Sequence, residues 1–169
     1  GVPPDQLYPL DVPRALKKID EIKPHVLSFW SSGAESQQLM VDGEVSVGAI
    51  WHTRAKLLSE DTDNRVRWSF DNGFINSSSW AVLNGNPGGT QPTMQFIQQA
   101  LQPEGQLKLF ELLGNGPSNS ATEKLMSAKQ LEANCASEEN LKKQIALNAQ
   151  WYADNYSKAL EEYLTRLSK

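Results

Sequence analysis

The chain has 169 residues, 39% of them hydrophobic and 21% charged, which is typical of a globular protein of one domain or two small lobes. A formal net charge of −4, with no long run of Lys or Arg, argues against nucleic acid or an anionic membrane surface as the main partner. The single Cys135 supplies no internal disulfide framework, and no run of eighteen apolar residues predicts a membrane span.

Helices and strands alternate in the first third of the sequence. Asp11 can cap a helix that Pro24 terminates, and Ser32 and Glu35 have the spacing of a capping box for a second helix. Asp42 and Gly43 are expected to close that helix. Short apolar runs over 26–30 and 44–51 predict strands, and 54–60 predicts a third helix. This order is typical of an α/β layer with a parallel sheet.

The remainder is predicted to become mostly helical. Alternating apolar residues favour strands over 66–70 and 80–83, and the second of these leads into "NGNPGGTQP", the densest Gly/Pro run. A second break, "GNGPSNS", spans 114–120. The predicted helices are 92–101, 104–113, 121–131, 138–151 and 154–167.

Catalytic signals are weak. Nucleophilic catalysis needs an activated Ser or Cys beside a positioned base, and no such motif surrounds His25, His52 or Cys135. His25 is most simply a helix-terminus or surface residue, and two separate histidines without acidic or Cys partners at ligand spacing are a poor metal site. The run "NPGGT" lacks the Lys and Ser/Thr of a phosphate loop. We therefore predict no enzyme activity, no metal and no cofactor.

Binding signals lie at two predicted strand ends. Trp30–Ser32 and Trp51–Arg54 both follow a predicted parallel strand, and open α/β sheets bind ligands beyond the carboxyl ends of their strands. Ser31, Ser32 and the first amides of the following helix can hold an anionic or polar group. Trp51 offers a flat face for an aliphatic or cationic group, and Arg54 can bind a carboxylate through two hydrogen bonds. The alternative is that either Trp simply packs in the core.

Several separated segments resemble one family. The segment "YPLDVPRALKKIDEIKPHVLSFWSSGAESQQLMVDGEVSVGAIWHTRA" resembles the second lobe of periplasmic solute-binding proteins of ABC importers, of the spermidine/putrescine-binding type. The segments "QFIQQALQPEGQLKLFELLGNGPSN" and "WYADNYSKALEEYLTRL" resemble its helix pair and its closing helix, in the same order. The likeness covers essentially the whole chain.

The resemblance implies a type II periplasmic-binding-protein lobe with a parallel-rich sheet flanked by helices. It places the second lobe at 1–83, the hinge crossover and helices of the first lobe at 84–118, and the return to the second lobe at 119–169. Because family members are about twice as long, the rest of the first lobe and a secretion signal would lie upstream. The implied function is capture of a small solute between two lobes in the periplasm, for delivery to an ABC permease.

The resemblance also suggests which residues contact the solute. Trp51 matches a tryptophan that stacks on the polyamine chain. Arg54 and Ser78 stand where polyamine binders carry carboxylates, and Asn76 replaces an aromatic wall residue. We expect this guanidinium to repel a multiply charged cation, which favours a carboxylate-bearing, amino acid-like or zwitterionic solute over a polyamine. The full predicted ligand-binding set is Ser31, Ser32, Trp51, Arg54, Asn76, Ser78, Gln150 and Trp151.

Two other classes of function remain as alternatives. The second class is an intracellular α/β enzyme or regulatory domain with a helical tail, but the sequence shows no acid/base cluster at the predicted strand ends. A structural interaction module that uses the apolar surface of the helical half is the third possibility. Solute titrations separate these alternatives, because a flat response to every solute would undermine the transport hypothesis.

We predict that the isolated 169-residue chain binds solute weakly or not at all and self-associates, because surface that faces the first lobe is exposed. Light scattering across a concentration series checks this. A clean monomer at every concentration would count against self-association.

Overall fold

The computed structural model describes residues 1–168, which are predominantly helical. Two short strands, β1 (Phe74–Ile75) and β2 (Ile145–Ala146), pair in a two-stranded sheet. Single 3₁₀ segments occupy Pro4–Gln6, Lys23–His25 and Ser120–Leu125. No helix in this part of the chain is long and apolar enough to cross a membrane. The α-helices are α1 (Val12–Ile22), α2 (Gly33–Val41), α3 (His52–Asp61), α4 (Thr90–Ala100), α5 (Pro103–Leu113), α6 (Ala128–Ala133), α7 (Glu138–Leu141) and α8 (Ala149–Leu167).

The first two helices begin at the predicted caps. The Asp11 carboxylate accepts a hydrogen bond from the Arg14 amide over 3.0 Å, and the Ser32 hydroxyl accepts one from the Glu35 amide over 3.2 Å. Each bond satisfies an amide that has no acceptor inside its own helix. Gly43 closes α2 with a φ of 71°, which glycine adopts without steric cost. The predicted capping residues are therefore confirmed.

The four predicted strands are wrong. The segments 26–30, 44–51, 66–70 and 80–83 are not assigned as regular strands. Strand pairing instead joins β1 to β2, and at the start of β2 the Ile145 amide donates to the Gly73 carbonyl over 2.7 Å. Apolar and β-branched residues make a segment suitable for a sheet, but the neighbouring backbone decides whether a ladder forms.

Two predicted helices near the carboxyl end are wrong in extent. The helix predicted over 121–131 is split, because Ser127 forms a capping box with Gln130 and starts α6 afresh. The helix predicted over 138–151 stops at Leu141, where the chain turns towards β2. The break predicted before Asp154 is absent, since that carboxylate accepts from the Gln150 side chain one turn earlier within α8.

The described chain forms two compact units. The first comprises Gly1–Ser31 together with the chain from Ala146 onward, and the second comprises Ser32–Ile145. In the first unit α1 packs on α8, and the Lys23 ammonium donates to the Leu167 carbonyl over 2.7 Å. The predicted boundaries at 83/84 and 118/119 concern the lobes of a longer protein, and they stay predictions.

The second unit is built around a small core. Its fully buried apolar centre is Leu58 of α3 and Phe110 of α5, at 0% and 1% exposure. The buried Gln106 amide accepts from the Ser118 backbone over 2.8 Å and donates to the Ala100 carbonyl over 3.2 Å. Helix α2 packs on α3, and α4 packs on α5. This packing fixes the start of α3 against the start of α2.

Several large apolar side chains on α4 and α5 lie outside the core. Phe96 is 59% exposed and meets the Trp80 ring edge-on at 5.7 Å between centroids. Leu112 and Leu113 at the end of α5 are also more than half exposed. These side chains supply the apolar surface on which the predicted self-association depends.

We predict that Phe110→Ala lowers the free energy of unfolding by about 3–5 kcal/mol, because it leaves a cavity in place of a fully buried ring. The matched control is Phe96→Ala, which removes the same side chain from an exposed position on α4 and should cost about 1 kcal/mol or less. Urea denaturation followed by circular dichroism measures both. Equal losses in the two variants would show that the core is placed wrongly.

Candidate functional site

The first turns of α2 and α3 bring several predicted site residues together. Ser32 is the N-cap of α2, and Trp51 is the N-cap of α3 with Arg54 one turn further on. We call this region the α2–α3 corner and define it as Ser32, Gly33, Gln37, Trp51 and Arg54. All five residues belong to the second compact unit.

The Trp51 ring and the Arg54 guanidinium lie against the backbone of Gly33. A β-carbon built on Gly33 would stand 3.0 Å from Trp51 Cε3 and 3.3 Å from Arg54 Nε. Approach this close is possible only because Gly33 has no side chain. Helix backbone, indole and guanidinium are therefore in close contact at the corner.

The corner is open to solvent. Trp51 is 57% exposed, so the alternative that this side chain packs in the core is wrong. Arg54 is exposed, and its Nη1 donates to Gln37 Oε1 over a long 3.5 Å. A guanidinium carries five N–H donors, so this one long contact leaves donors for a further acceptor at the corner.

The corner has positive groups that favour an anionic group, although Glu35 in the first turn of α2 adds one nearby negative charge. The first amides of an α-helix lack acceptors within the helix and carry the positive end of its dipole. The Arg54 guanidinium lies beside this end of α2, and a guanidinium binds a carboxylate through two parallel hydrogen bonds. The exposed Trp51 face beside it suits an aliphatic stem. The arrangement can hold a small organic acid by its carboxylate.

The two predicted serines belong to different compact units. The Ser32 hydroxyl oxygen already accepts the Glu35 amide, which leaves its proton for an outside acceptor. Ser31 is exposed and belongs to the first compact unit.

Asn76 and Ser78 follow β1 and are both exposed. Neither carries a charge. Their predicted contact with solute stays a prediction. They contribute neutral hydrogen-bonding groups to the surface after β1.

Gln150 and Trp151 lie in the first compact unit, along an open groove of about 340 Å³. Trp151 packs on Tyr8 with ring centroids 5.9 Å apart and on Tyr152 at 5.0 Å. Burial and a hydrogen bond with Tyr8 raise the pKa of Tyr152 to about 12. The groove is thus lined by neutral aromatic and amide groups with one carboxylate, Asp154.

The histidines and the cysteine show no catalytic arrangement. His52 is packed between Trp68 and Phe70, with ring centroids 5.7 and 5.0 Å away. Burial lowers the pKa of His52 to about 4, although a hydrogen bond to the Gly114 backbone opposes this and the nearby Lys56 adds to it. Burial also raises the pKa of the Cys135 thiol, which keeps it protonated and weakly nucleophilic. Among residues 1–168 no group of His, Cys, Asp and Glu is placed to hold a metal ion.

Two members of the corner were not predicted from sequence. Gln37 reaches Arg54 from the next turn of α2, and Gly33 lies under the indole. Gly33 carries a usable signal, since glycine at a helical position is disfavoured unless another group approaches closely. No comparable signal marks Gln37.

Residues 1–138 match the family model described as bacterial extracellular solute-binding protein. The chain belongs to this family. It is similar to the gamma-aminobutyric acid-binding protein of Pseudomonas aeruginosa, with 29% identity over 161 residues that cover 92% of this chain and 45% of that protein.

Solved structures show the same relationship. An ABC transporter substrate-binding protein from Bradyrhizobium japonicum superposes with a TM-score of 0.90 at 31% identity, over 98% of this chain and 52% of its own. The binding protein AgtB from Agrobacterium tumefaciens in complex with agropinic acid gives 0.84 at 31% identity, over 100% of this chain and 52% of its own. The chain therefore has the α/β fold of type II periplasmic binding proteins, as expected from its sequence, and spans about half the length of these relatives.

The buried His52 generates a pH prediction. Unfolded His52 gains a proton at about pH 6.5 and the folded residue only at about pH 4, so the unfolded state binds more protons between these values. Stability should fall as the pH drops through this window, with a His52 contribution of about 2 kcal/mol. Urea denaturation at pH 7 and pH 4.5, in wild type and in His52→Gln, isolates that contribution because other groups titrate in both proteins. An unchanged pH dependence in the variant would show that His52 is not buried in its neutral form.

Proposed function

We propose that this chain is the solute-binding part of a two-lobed receptor that captures a small polar solute and presents it to an ABC permease in the periplasm. Family membership over residues 1–138 and the fold shared with solved substrate-binding proteins support this proposal. A receptor of this kind works by closure, so contacts with the solute must favour the closed state over the open one.

The two Gly/Pro breaks are proposed as the crossings between lobes. Residues 1–83 would belong to the second lobe, 84–118 to the hinge crossover and the first lobe, and 119–169 to the return. Gly85 and Gly89 in the first break and Gly114 at the second have positive φ angles of 72°, 75° and 76°. Such backbone positions allow sharp changes of direction between helices.

The solute we propose is a carboxylate-bearing, amino acid-like compound. The observation that carries this proposal is the exposed Arg54 guanidinium beside the first turn of α2. The Ser32 hydroxyl and the first amides of α2 add donors on the same side. Two of the similar proteins are named with an acid, gamma-aminobutyric acid and agropinic acid, which agrees with this chemistry.

Trp51 is proposed as the wall on which the aliphatic part of the solute rests. Its exposed indole lies next to the guanidinium, so a solute held by its carboxylate would extend across the ring. Asn76 and Ser78 are proposed to bind the polar far end through neutral hydrogen bonds, and the contacts of Gln150 and Trp151 with solute stay predictions from the sequence.

A polyamine is the second candidate solute. The exposed Trp51 ring favours it, because an ammonium gains about 0.5–2 kcal/mol over an indole face. The adjacent Arg54 opposes it, since a facing guanidinium repels each ammonium group. We therefore rank the amino acid-like solute first.

Calorimetry separates these candidates. The panel contains γ-aminobutyrate, other ω-amino acids, putrescine and spermidine, titrated into a protein that combines this chain with the amino-terminal half of the receptor. Binding of ω-amino acids without polyamines supports the proposal. Binding of polyamines alone would reverse the order of the candidates, and a flat response to every compound would contradict the receptor function.

We predict that Arg54→Ala weakens binding of the carboxylate solute by about 1.5–3 kcal/mol, or roughly ten- to 150-fold, because a charge-assisted hydrogen-bond pair is lost. Arg54→Lys should recover only part of this loss, since an ammonium cannot form the two parallel bonds. Arg67→Ala is the control, because Arg67 is an exposed arginine of the same unit that bonds the Asn64 backbone. Unchanged or improved binding in Arg54→Ala would contradict the proposed carboxylate contact.

A further inference from the structure

We propose that Gly33 is the positioning residue of the solute site: its missing side chain lets Trp51 and Arg54 lie together over the first turn of α2. This inference rests on the proposed function for its consequence in binding. The geometry behind it stands without a ligand.

A side chain on Gly33 would meet its neighbours more tightly than in ordinary contact. A β-carbon there would lie 3.0 Å from Trp51 Cε3, 3.3 Å from Trp51 Cζ3 and 3.3 Å from Arg54 Nε. Carbon atoms in contact prefer a separation of about 3.5–4.0 Å, so all three contacts are compressed. Any larger residue at this position must push the indole, the guanidinium or both away.

The indole is the less adaptable of the two neighbours. It is a rigid ring, and its backbone is the N-cap of α3, whose carbonyl accepts from the Arg54 and Ala55 amides over 2.8 and 2.9 Å. Helix α3 is in turn anchored by the buried Ala55 and Leu58. Relief of the two Trp51 contacts therefore comes from a shift of its side chain by a few tenths of an ångström, which moves the proposed wall of the site.

The requirement for glycine does not come from the backbone. Gly33 is the first residue of α2 and is not among the glycines with positive φ, so alanine can adopt its conformation. Alanine is also the stronger helix former, which should offset part of the steric cost in overall stability. The expected effect is local, with the fold of the second unit preserved.

The chain offers a matched control in Gly105. It lies in the first turn of α5, and a β-carbon there would meet only the Ala100 and Gln99 carbonyls at 3.6 and 3.8 Å, which is ordinary contact. Gly105→Ala makes the same chemical change in the first turn of another helix, at an exposed position, without touching the α2–α3 corner.

The first test uses the 169-residue chain without ligand. In ¹⁵N-resolved NMR spectra, Gly33→Ala should shift the Trp51 indole N–H and the Arg54 Nε–H resonances, assigned with Trp51→Phe and Arg54→Lys. Gly105→Ala should leave both resonances in place. Unmoved side-chain resonances in a folded Gly33→Ala protein would overturn the positioning role.

The second test measures binding of γ-aminobutyrate to the two-lobed protein. Gly33→Ala should weaken binding about tenfold, while Gly105→Ala matches wild type. In a Trp51→Ala background the Gly33→Ala change should have little further effect, because the ring through which it acts is gone. Full additivity of the two changes would overturn the proposal.

The two tests separate the positioning role from the proposed function. If no panel compound binds the wild type, the proposed function fails, and the ligand-free spectra still decide whether Gly33 places the ring. If γ-aminobutyrate binds the wild type and Gly33→Ala equally well, the proposed function stands and the positioning role fails.

Discussion

The close contact between the first turn of α2 and the start of α3 is the constraint on which the candidate site depends. Buried Ala55 and Leu58 hold α3 in the core, and the absence of a side chain at Gly33 lets the helix starts meet. Trp51 is consequently kept outside the core although it is a large aromatic residue. An exposed indole next to an arginine does not contribute the stability that burial of its apolar surface would give. This pattern is expected where a side chain serves binding rather than packing.

Charge decides which kind of solute fits this surface. The start of the α2 dipole and Arg54 are both positive, Glu35 in the first turn of α2 offsets part of this charge, and the predicted contacts Asn76 and Ser78 are neutral. A cleft for polyamines would need carboxylates at these positions. The family is thus shown by the match over residues 1–138, whereas the class of solute stays a proposal that rests on a few residues of the α2–α3 corner.

Much of the helical structure was predictable from local sequence. Asp11 and Ser32 cap their helices through short-range side-chain hydrogen bonds, and Gly43 ends α2 because glycine adopts a positive φ. Each of these helix ends is therefore determined by residues within one turn of the chain. The predicted strand over 44–51 and the helix over 138–151 failed for the opposite reason. An apolar run such as 44–51 becomes a strand only where other backbone pairs with it, and within 138–151 the Ile145 amide bonds to the distant Gly73 carbonyl. A linear pattern contains neither kind of partner.

The candidate site was predictable to a similar degree. Trp51 and Arg54 stood out because aromatic and charged residues follow an apolar run, but their contact with Gly33 arises only when two helices pack. Gln37 was missed because an amide on a polar helix face has no distinguishing pattern. The difference between Trp51 and Trp151, one exposed and one packed among tyrosines, likewise comes from tertiary surroundings.

A crystal structure of the two-lobed protein with bound γ-aminobutyrate tests the central claim most directly. The account predicts carboxylate oxygens about 2.7–2.9 Å from two Arg54 nitrogens, with the methylene chain across the Trp51 face. A solute whose ammonium faces the α2–α3 corner, or Arg54 turned to solvent with no ligand contact, would contradict it.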